Sequence, residues 1–215
     1  NRPPMEDDLV RQVELLHEVV EALGMREVGV PGFEADDVIG TLAQVGLQSG
    51  CKVLVVTGDK DLLQLVRPGV EVIVTVKGIR DTQRFDEVAV REKMRVDPAQ
   101  IVDLKALSGD SSDNIPGVKG IGDKGALALL QQYGSVEAAI AAGEQVQPAR
   151  LARLLQEGRE QALLSKRLAT IRQDVPMPGE LEQYRWQGLR ADRLRELATR
   201  LEFASLLNRL PALAA

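Results

Sequence analysis

Histidine and cysteine are almost absent from this chain of 215 residues, which has one of each. The single cysteine, Cys51, excludes a disulfide framework within the chain and fits a reducing cytosol. No cysteine and histidine cluster is available for zinc, and one histidine gives little support to a Ser-His-Asp triad. No apolar run approaches the ~20 residues of a membrane-spanning helix. We therefore expect a cytoplasmic globular protein whose chemistry would depend on carboxylates.

The net charge of −5 hides an uneven distribution of charge along the chain. Residues 1–37 hold ten acidic and three basic side chains, whereas residues 148–172 hold two acidic and six basic ones. The six are Arg150, Arg153, Arg159, Lys166, Arg167 and Arg172. Because bound divalent cations would neutralise much of an acidic cluster, the overall charge does not exclude a polyanionic partner.

Features typical of a metal site and of a phosphate site lie side by side between Leu104 and Tyr133. Asp110 and Asp113 are three residues apart in a loop rich in glycine and serine, where both carboxylates can face one point. Hard divalent cations prefer several carboxylate oxygens. The glycine-rich segment 117–122 then opens a predicted helix, and the N–H groups at such a start can bind a phosphate. The combination indicates chemistry on nucleic acid.

Residues 120–125 also match the G-x-G-x-x-G pattern of dinucleotide-binding sites. That pattern is informative only when it follows a strand and has an acidic residue about twenty positions further on. Here Pro116 precedes it, which a central strand does not accommodate, and the distant position is Gln145. A helix–hairpin–helix that holds a DNA backbone through glycine N–H groups fits the segment better.

A second acidic cluster, Asp59 and Asp61, follows the continuous apolar segment 53–57. That segment is typical of a buried parallel strand, and open α/β sheets bind ligands beyond the carboxyl ends of such strands. An aspartyl phosphatase also has a D-x-D sequence after a strand. That alternative leaves the other acidic clusters in the chain unexplained.

The third cluster, Glu34, Asp36 and Asp37, opens a predicted helix. Capping alone would explain one or two acids at a helix start. Three acids within four residues repel one another, however, and favour a bound cation. If the three clusters converge, their seven carboxylates line a cleft suited to two Mg²⁺ or Mn²⁺ ions that act on a phosphodiester.

Three segments together resemble a known family. They are E-A-D-D at 34–37, T-G-D-K-D at 57–61 and S-G-D-S-S-D-N-I-P-G-V-K-G-I-G-D-K at 108–124. In this order they resemble the 5′ nuclease (5′-3′ exonuclease) domain of bacterial DNA polymerase I, a relative of flap endonucleases. The resemblance extends from about the first predicted helix to the last residue.

The resemblance implies roles for individual residues. One divalent ion would be held by Glu34, Asp36 and Asp37, and a second by Asp59, Asp61, Asp110 and Asp113. The hairpin would hold the duplex arm of branched or nicked DNA, often with a monovalent cation such as K⁺. Its backbone contacts would come from Gly117, Gly120 and Gly122, and its phosphate partners would be Lys119 and Lys124.

The family also sets expectations for the rest of the protein. Its members begin with a strand that carries an aspartate, followed by a second aspartate and a basic, aromatic arch that threads a 5′ end. We find no counterpart of these elements in the sequence, so two ligands of the first ion are expected to be missing. We further expect a monomer associated with the nucleoid and a polymerase domain fused after residue 215.

The patterns and the resemblance predict an α/β fold with a mostly parallel central sheet of the PIN-like type, flanking helices and a helical lobe containing the helix–hairpin–helix. The expected regions are a nuclease core at 1–108, a DNA-binding region at 109–175 and a closing helical segment at 176–215. Strands are expected at 26–30, 53–57, 70–76 and 82–85. A non-catalytic module that binds duplex DNA through the hairpin remains the alternative, and it would need none of the seven acids.

Overall fold

The computed structural model describes residues 5–78, 80–177 and 179–213, and of residues 211–213 it describes the backbone only. The chain forms two compact units: Phe33–Val175 is the larger, and Asn1–Gly32 with Pro176–Ala215 is the smaller. The region boundaries at 108 and 175 remain a prediction. Pro3 and Pro4, which we expected at the start of the first helix, and Pro178 in the expected linker lie outside the described residues.

The elements follow one another from helix to sheet to helix. The strands are β1 (Val53–Thr57), β2 (Val70–Lys77) and β3 (Asp81–Phe85). The helices are α1 (Asp7–Ala22), α2 (Ala35–Gln48), α3 (Glu87–Met94), α4 (Ile101–Ser108), α5 (Asp123–Tyr133), α6 (Val136–Ala142), α7 (Ala149–Glu157), α8 (Arg159–Ala169), α9 (Ala191–Arg200) and α10 (Ala204–Leu213). Within the described ranges, no helix combines the length and the apolar composition that crossing a membrane requires.

The sheet lies in the larger unit and has the strand order β1-β2-β3. β1 and β2 are parallel, with Val53 opposite Val70, and β2 and β3 form an antiparallel hairpin. Val70, Val72 and Val74 alternate along β2 and are buried, as the two-residue period of a strand requires. The predicted α/β class is confirmed, and one of the two strand pairings described is parallel.

Strand β1 lies at an edge of this sheet and buries only part of its apolar surface. Val55 is buried, whereas Leu54 is 49% exposed and Val56 is 64% exposed. The apolar sequence predicted burial on both faces, and β1 is buried on one. Among the described strands, β2 is its only neighbour.

The strand expected at 26–30 does not form, and this prediction was wrong. The segment belongs to the smaller unit, whose described residues contain helices and no strand with which it could pair. The guanidinium of Arg26 instead lies over the ring of Tyr184, 5.4 Å from its centroid.

Polar side chains set where several helices begin. Asp86 accepts a hydrogen bond from the N–H of Ala89 at 2.8 Å, and Ser135 accepts one from the N–H of Ala138 at 3.2 Å. Both residues satisfy N–H groups that a helix start leaves without a partner. The start of α6 is fixed a second time, because the N–H of Val136 donates to the buried carboxylate of Asp103 at 3.0 Å.

Helix α4 lies at the centre of the larger unit, packed against α5 and α8. Its buried side chains Ile101, Ala106 and Leu107 join the main apolar core. On another face, Asp103 accepts a hydrogen bond from the ammonium of Lys166 on α8 at 2.6 Å. The burial of this carboxylate therefore comes with charge compensation, and the position of α4 is fixed by both apolar and ionic contacts.

The smaller unit brings together α1, α9 and α10 around a second apolar cluster. Ala22, Leu194, Leu197 and Leu210 are its buried members. From the sequence, Trp186 is predicted to anchor the closing pair of helices, α9 and α10, against the core. The indole is instead 62% exposed, and it is held by a hydrogen bond from its Nε1–H to the carbonyl of Leu23 at 2.7 Å.

Candidate metal centre and nucleic-acid interface

The loop after α4 is a closed turn that fixes the position of Asp110. The N–H of Asp110 donates to the carbonyl of Ile115 and the N–H of Ile115 donates to the carbonyl of Asp110, each at 2.8 Å. Within the turn, Oδ1 of Asp110 accepts from the N–H of Ser112 at 2.9 Å and from the Ser112 hydroxyl. Asn114 takes a positive φ of 57°, which asparagine tolerates. The turn thereby carries Asp110 and Asp113 in a defined geometry.

The acids after β1 are placed by a short 3₁₀ turn at Lys60–Leu65. The carboxylate of Asp59 caps this turn and accepts from the N–H of Asp61 at 2.8 Å. Leu62, Leu63 and Leu65 anchor the turn in the core. Asp61 is therefore held on a rigid element, partly buried, whereas Asp59 remains exposed at the edge.

Asp61, Asp110 and Asp113, which belong to two separate acidic clusters of the sequence, converge in the structure. One carboxylate oxygen from each lies within 4.8 Å of the others. The ammonium of Lys105 on α4 occupies this cluster: it hydrogen bonds to Oδ2 of Asp61, lies 2.5 Å from Oδ2 of Asp110 and lies 3.9 Å from Oδ2 of Asp113. Three acids and one lysine leave a net negative charge at this point.

The ion pairs and burial shift the pKa values within this cluster. The hydrogen bonds from Lys105 and Ser112 lower the pKa of Asp110 to about 2. Burial raises the pKa of Asp61, against the opposing effect of Lys105. Burial also opposes the charge of Lys105, but its hydrogen bonds to Asp110 and Asp61 outweigh that effect and raise its pKa. The lysine is therefore charged at neutral pH.

The first acidic cluster sits at the start of α2, where Asp36 faces the acids described above. Burial raises the pKa of Asp36, and so do the charges of Asp59, Glu34, Asp113 and Asp37. A carboxylate whose ionised form is disfavoured by several neighbouring carboxylates lies in a negative field that a cation would relieve. The structure therefore brings Asp36 into the electrostatic range of the other clusters.

Asp37 differs from its neighbours because its carboxylate is engaged by backbone N–H groups. Oδ1 accepts from the N–H of Arg172 at 2.9 Å, and Oδ2 accepts a long bond from the N–H of Glu34 at 3.4 Å. Further along α2, Thr41 accepts from the N–H of Val175 at 3.1 Å. These hydrogen bonds hold the segment after α8 against α2. Asp37 therefore stabilises the packing of this segment, a role that the sequence did not indicate.

Not all seven predicted acids form one group. Within the described residues, the convergent set of three excludes Asp59 and the acids of α2, Glu34, Asp36 and Asp37. Glu34 is exposed at the N-cap of α2 and shares a capping box with Asp37. The arrangement resembles two neighbouring acidic sites more than one continuous cluster.

The glycine hairpin connects α4 to α5, with one buried end and one exposed end. The N–H of buried Gly117 donates to the hydroxyl of Ser165 on α8 at 3.1 Å, so it is not available to a phosphate. By contrast, Gly120 and Gly122 are exposed, as are Lys119 and Lys124. The predicted roles of these five residues in DNA binding therefore divide: Gly117 holds the hairpin in place, and the other four can contact a ligand.

The start of α5 is open to a ligand. Its N-cap is Gly122, which has no side chain with which to satisfy the first N–H groups of the helix. A Cβ added at Gly122 would meet no atom within 4 Å. An exposed helix start of this kind, with two lysines nearby, is suited to a phosphate group.

Two residues of the site were missed by the sequence reasoning, Lys105 and Ser165. Both contact residues far along the chain, Asp61 in one case and Gly117 in the other. The one available signal was that Lys105 and Asp103 are the charged residues of an otherwise apolar helix.

Comparison with known families divides the chain into two matches. Residues 1–95 match the model of the 5′-3′ exonuclease N-terminal resolvase-like domain, and residues 96–192 match that of the 5′-3′ exonuclease C-terminal SAM fold. DNA polymerase I of Bacillus caldotenax is 44% identical over 203 residues, which are 94% of this chain and 23% of that protein. DNA polymerase I of Pseudomonas aeruginosa is 43% identical over 215 residues, 97% of this chain and 23% of that protein. The chain thus spans about a quarter of the length of these relatives.

Solved structures share the fold at low sequence identity. T5 5′-exonuclease with bound zinc ions has a TM-score of 0.64 at 19% identity, over 99% of this chain and 73% of that one. The catalytic core of Rad2 in complex with DNA substrate has a TM-score of 0.60 at 14% identity, over 96% of this chain and 71% of that one. The two adjoining family matches and the polymerase I relatives lead to one assignment: this chain belongs to the 5′-3′ exonuclease family.

Proposed function

We propose that this chain is the nuclease part of a structure-specific 5′ nuclease, which hydrolyses DNA phosphodiesters at 5′ flaps or nicks during replication and repair. The observation that carries the proposal is the convergence of Asp61, Asp110 and Asp113 directly before an exposed glycine hairpin. A cation site and a phosphate site that follow each other within the segment 110–124 can act on the same nucleic-acid strand.

The donor set fits a hard divalent cation. Asp61, Asp110 and Asp113 offer only carboxylate oxygens, which favour Mg²⁺ or Mn²⁺ over metals that prefer nitrogen or sulfur. We assign the second ion to these three together with Asp59, and the first to Glu34 and Asp36. Two bound ions would polarise the phosphodiester and ease deprotonation of the attacking water.

Asp37 is kept in the proposal as a residue of the first site with a different task. Its carboxylate already holds the N–H of Arg172. It would orient the start of α2, and with it Glu34 and Asp36, toward the ion. This is the role that hydrogen-bonded partners of metal ligands commonly have.

The hairpin would hold the duplex arm of the substrate. Gly120 and Gly122 present an accessible backbone, and the start of α5 offers N–H groups to one phosphate. Lys119 and Lys124 add charge to neighbouring phosphates. A monovalent cation such as K⁺ at the hairpin belongs to the same proposal. Contacts of this kind position the strand and carry no sequence preference, as a nuclease that reads branch structure requires.

The polymerase I relatives suggest the setting of this activity. We propose that the chain works beside a fused polymerase domain, as a monomer associated with the nucleoid, on branched or nicked duplex DNA. The alternative, a non-catalytic module that binds duplex through the hairpin, gives no reason for three convergent carboxylates around a buried lysine.

The test compares cleavage of a duplex that carries a 5′ flap by wild-type protein and by Asp61→Asn, with Mn²⁺ and with EDTA. We expect Mn²⁺-dependent release of the flap by the wild type. The cleavage rate of the variant should be lower by a factor of about 10² or more, because charge stabilisation of the transition state is lost. Asp81→Asn, which removes an exposed acid of β3, is the matched control and should cleave as wild type does. Duplex binding without Mn²⁺-dependent cleavage, in a protein that also carries the N-terminal strand and arch typical of the family, would overturn the nuclease proposal in favour of the binding module.

A further inference from the structure

Lys105 occupies the place where the proposed second ion would bind. Its ammonium contacts one oxygen on each of the three convergent acids, Asp61, Asp110 and Asp113. Its side chain is only 14% exposed, so the contact is enclosed rather than a surface ion pair. The other charged residue of α4, Asp103, is engaged elsewhere, by Lys166.

A lysine and a divalent ion would compete for these three acids. A divalent ion held by the same acids would be repelled by the nearby ammonium, because like charges at short range repel even at the effective dielectric of a protein surface. The ammonium also uses the oxygens that would ligate the ion. Binding of the ion would therefore favour withdrawal of the ammonium.

The surroundings leave room for that withdrawal. Lys105 itself lines a cleft of about 370 Å³, and the other lining residues include Asp59, Lys60, Asp61, Asp110, Met94, Ile101 and Leu104. Lysine has a flexible four-carbon stem, so its ammonium can turn into this cleft while α4 stays packed in the core.

We propose that Lys105 is an internal counter-cation: it holds Asp61, Asp110 and Asp113 together in the metal-free protein and competes with the divalent ion for them. This inference rests on the proposed second metal site. Lys105 lowers the affinity of the three acids for the metal ion, and it keeps their carboxylates in place when no metal is bound. Lys105 is thus a positioning residue that acts through the acids.

The experiment measures Mn²⁺ binding by calorimetry and by the electron paramagnetic resonance of free Mn²⁺, for wild type and for Lys105→Met. The variant keeps the length of the side chain and removes its charge. We expect it to bind Mn²⁺ at least about tenfold more tightly, because no ammonium has to be displaced. Without metal, its melting temperature should fall, since three carboxylates then face one another uncompensated, and saturating Mn²⁺ should raise it more than in wild type.

Lys52→Met is the matched control, because Lys52 is exposed, carries the same charge and does not line the cleft. Its Mn²⁺ affinity should stay within about twofold of wild type, as expected for a solvent-screened charge. Lys105→Gln, whose amide can still donate to the acids, provides a second neutral variant if Lys105→Met does not fold.

The outcomes separate this inference from the proposed function. If neither wild type nor Lys105→Met binds Mn²⁺, the metal site itself is wrong. If wild type binds Mn²⁺ and Asp110→Asn weakens that binding, the site stands. Unchanged or weaker binding by Lys105→Met and Lys105→Gln then overturns the counter-cation role alone, as does an equal gain in Lys52→Met.

Discussion

The buried hydroxyl of Ser165 on α8 accepts a hydrogen bond from the N–H of Gly117 at 3.1 Å, and it thereby supports the glycine hairpin from behind. The same glycine has a φ of +60°, and a Cβ added to it would lie 2.2 Å from the nitrogen of Gly109. The hairpin is therefore fixed at its buried end and exposed at Gly120 and Gly122. Residues that share one motif have different tasks, and substitutions can separate them.

Alanine substitutions at the two ends of the hairpin should have different effects. Gly117→Ala should lower the free energy of unfolding by about 3 kcal/mol or more, because the methyl group would meet the backbone of Ser108 and Gly109. Gly122→Ala should change it by less than about 1 kcal/mol, since its Cβ meets no atom. Urea denaturation measures both. We expect Gly122→Ala to weaken duplex binding, and unchanged binding would show that the start of α5 is not the phosphate site.

The two exposed lysines of the hairpin should contribute to DNA binding through charge alone. Replacing Lys119 and Lys124 together by alanine should reduce the slope of log affinity against log salt by about two, one for each lost phosphate contact. Mn²⁺ affinity should stay the same. The control is the double alanine variant of Lys52 and Lys93, exposed lysines outside the hairpin. Fluorescence anisotropy over a salt series gives the slopes, and equal slopes in the two double variants would remove the hairpin lysines from the interface.

The low pKa of Asp110 predicts how stability depends on pH in the metal-free protein. Its pKa is about 2 in the folded protein and about 3.9 in an unfolded chain. Because the folded value is the lower one, the ionised carboxylate stabilises the fold above pH ~4. That contribution, about 2 kcal/mol, is lost as the pH falls from ~4 toward 2.

The measurement is the free energy of unfolding of wild type and Asp110→Asn in EDTA between pH 7 and 2. The gap between the two proteins should be largest near neutral pH and should close below pH ~4. A gap that stays constant over the whole range would mean that the ion pair between Lys105 and Asp110 does not form in solution.

Substitutions of two neighbouring acids of α2 should affect different properties, metal binding in one case and stability in the other. Asp36→Ala should weaken Mn²⁺ binding without loss of metal-free stability, because burial and nearby carboxylates already disfavour its ionised form. Asp37→Ala should lower the free energy of unfolding by about 1–3 kcal/mol, since the N–H of Arg172 loses its acceptor. Chemical denaturation in EDTA and Mn²⁺ titration give the two quantities. Equal loss of stability in both variants would contradict the division of roles.

The sequence was most informative where spacing and local chemistry decide the structure. Asp110 and Asp113 are brought together by one short turn, and the caps at Asp86 and Ser135 depend on neighbours three residues away. Asp61 lies just past the carboxyl end of β1, and the end of a parallel strand is a defined position in an α/β fold.

The features that the sequence did not reveal depend on distant partners. Lys105 meets Asp61 across 44 positions, and Ser165 meets Gly117 across 48. The segment 26–30 has the composition of a strand, but a strand forms only where another is available for pairing. The helix that packs against a motif is determined by the whole core, so a local sequence pattern does not predict it.

The most direct test of the central claim is anomalous diffraction from crystals soaked in Mn²⁺. We predict a peak coordinated by Asp61, Asp110 and Asp113, with the ammonium of Lys105 withdrawn into the cleft that it lines. Asp110→Asn crystals treated in the same way should lose most of that peak. A Mn²⁺ peak away from these three acids, or Lys105 still hydrogen-bonded to Asp61 and Asp110 at saturating Mn²⁺, would contradict it.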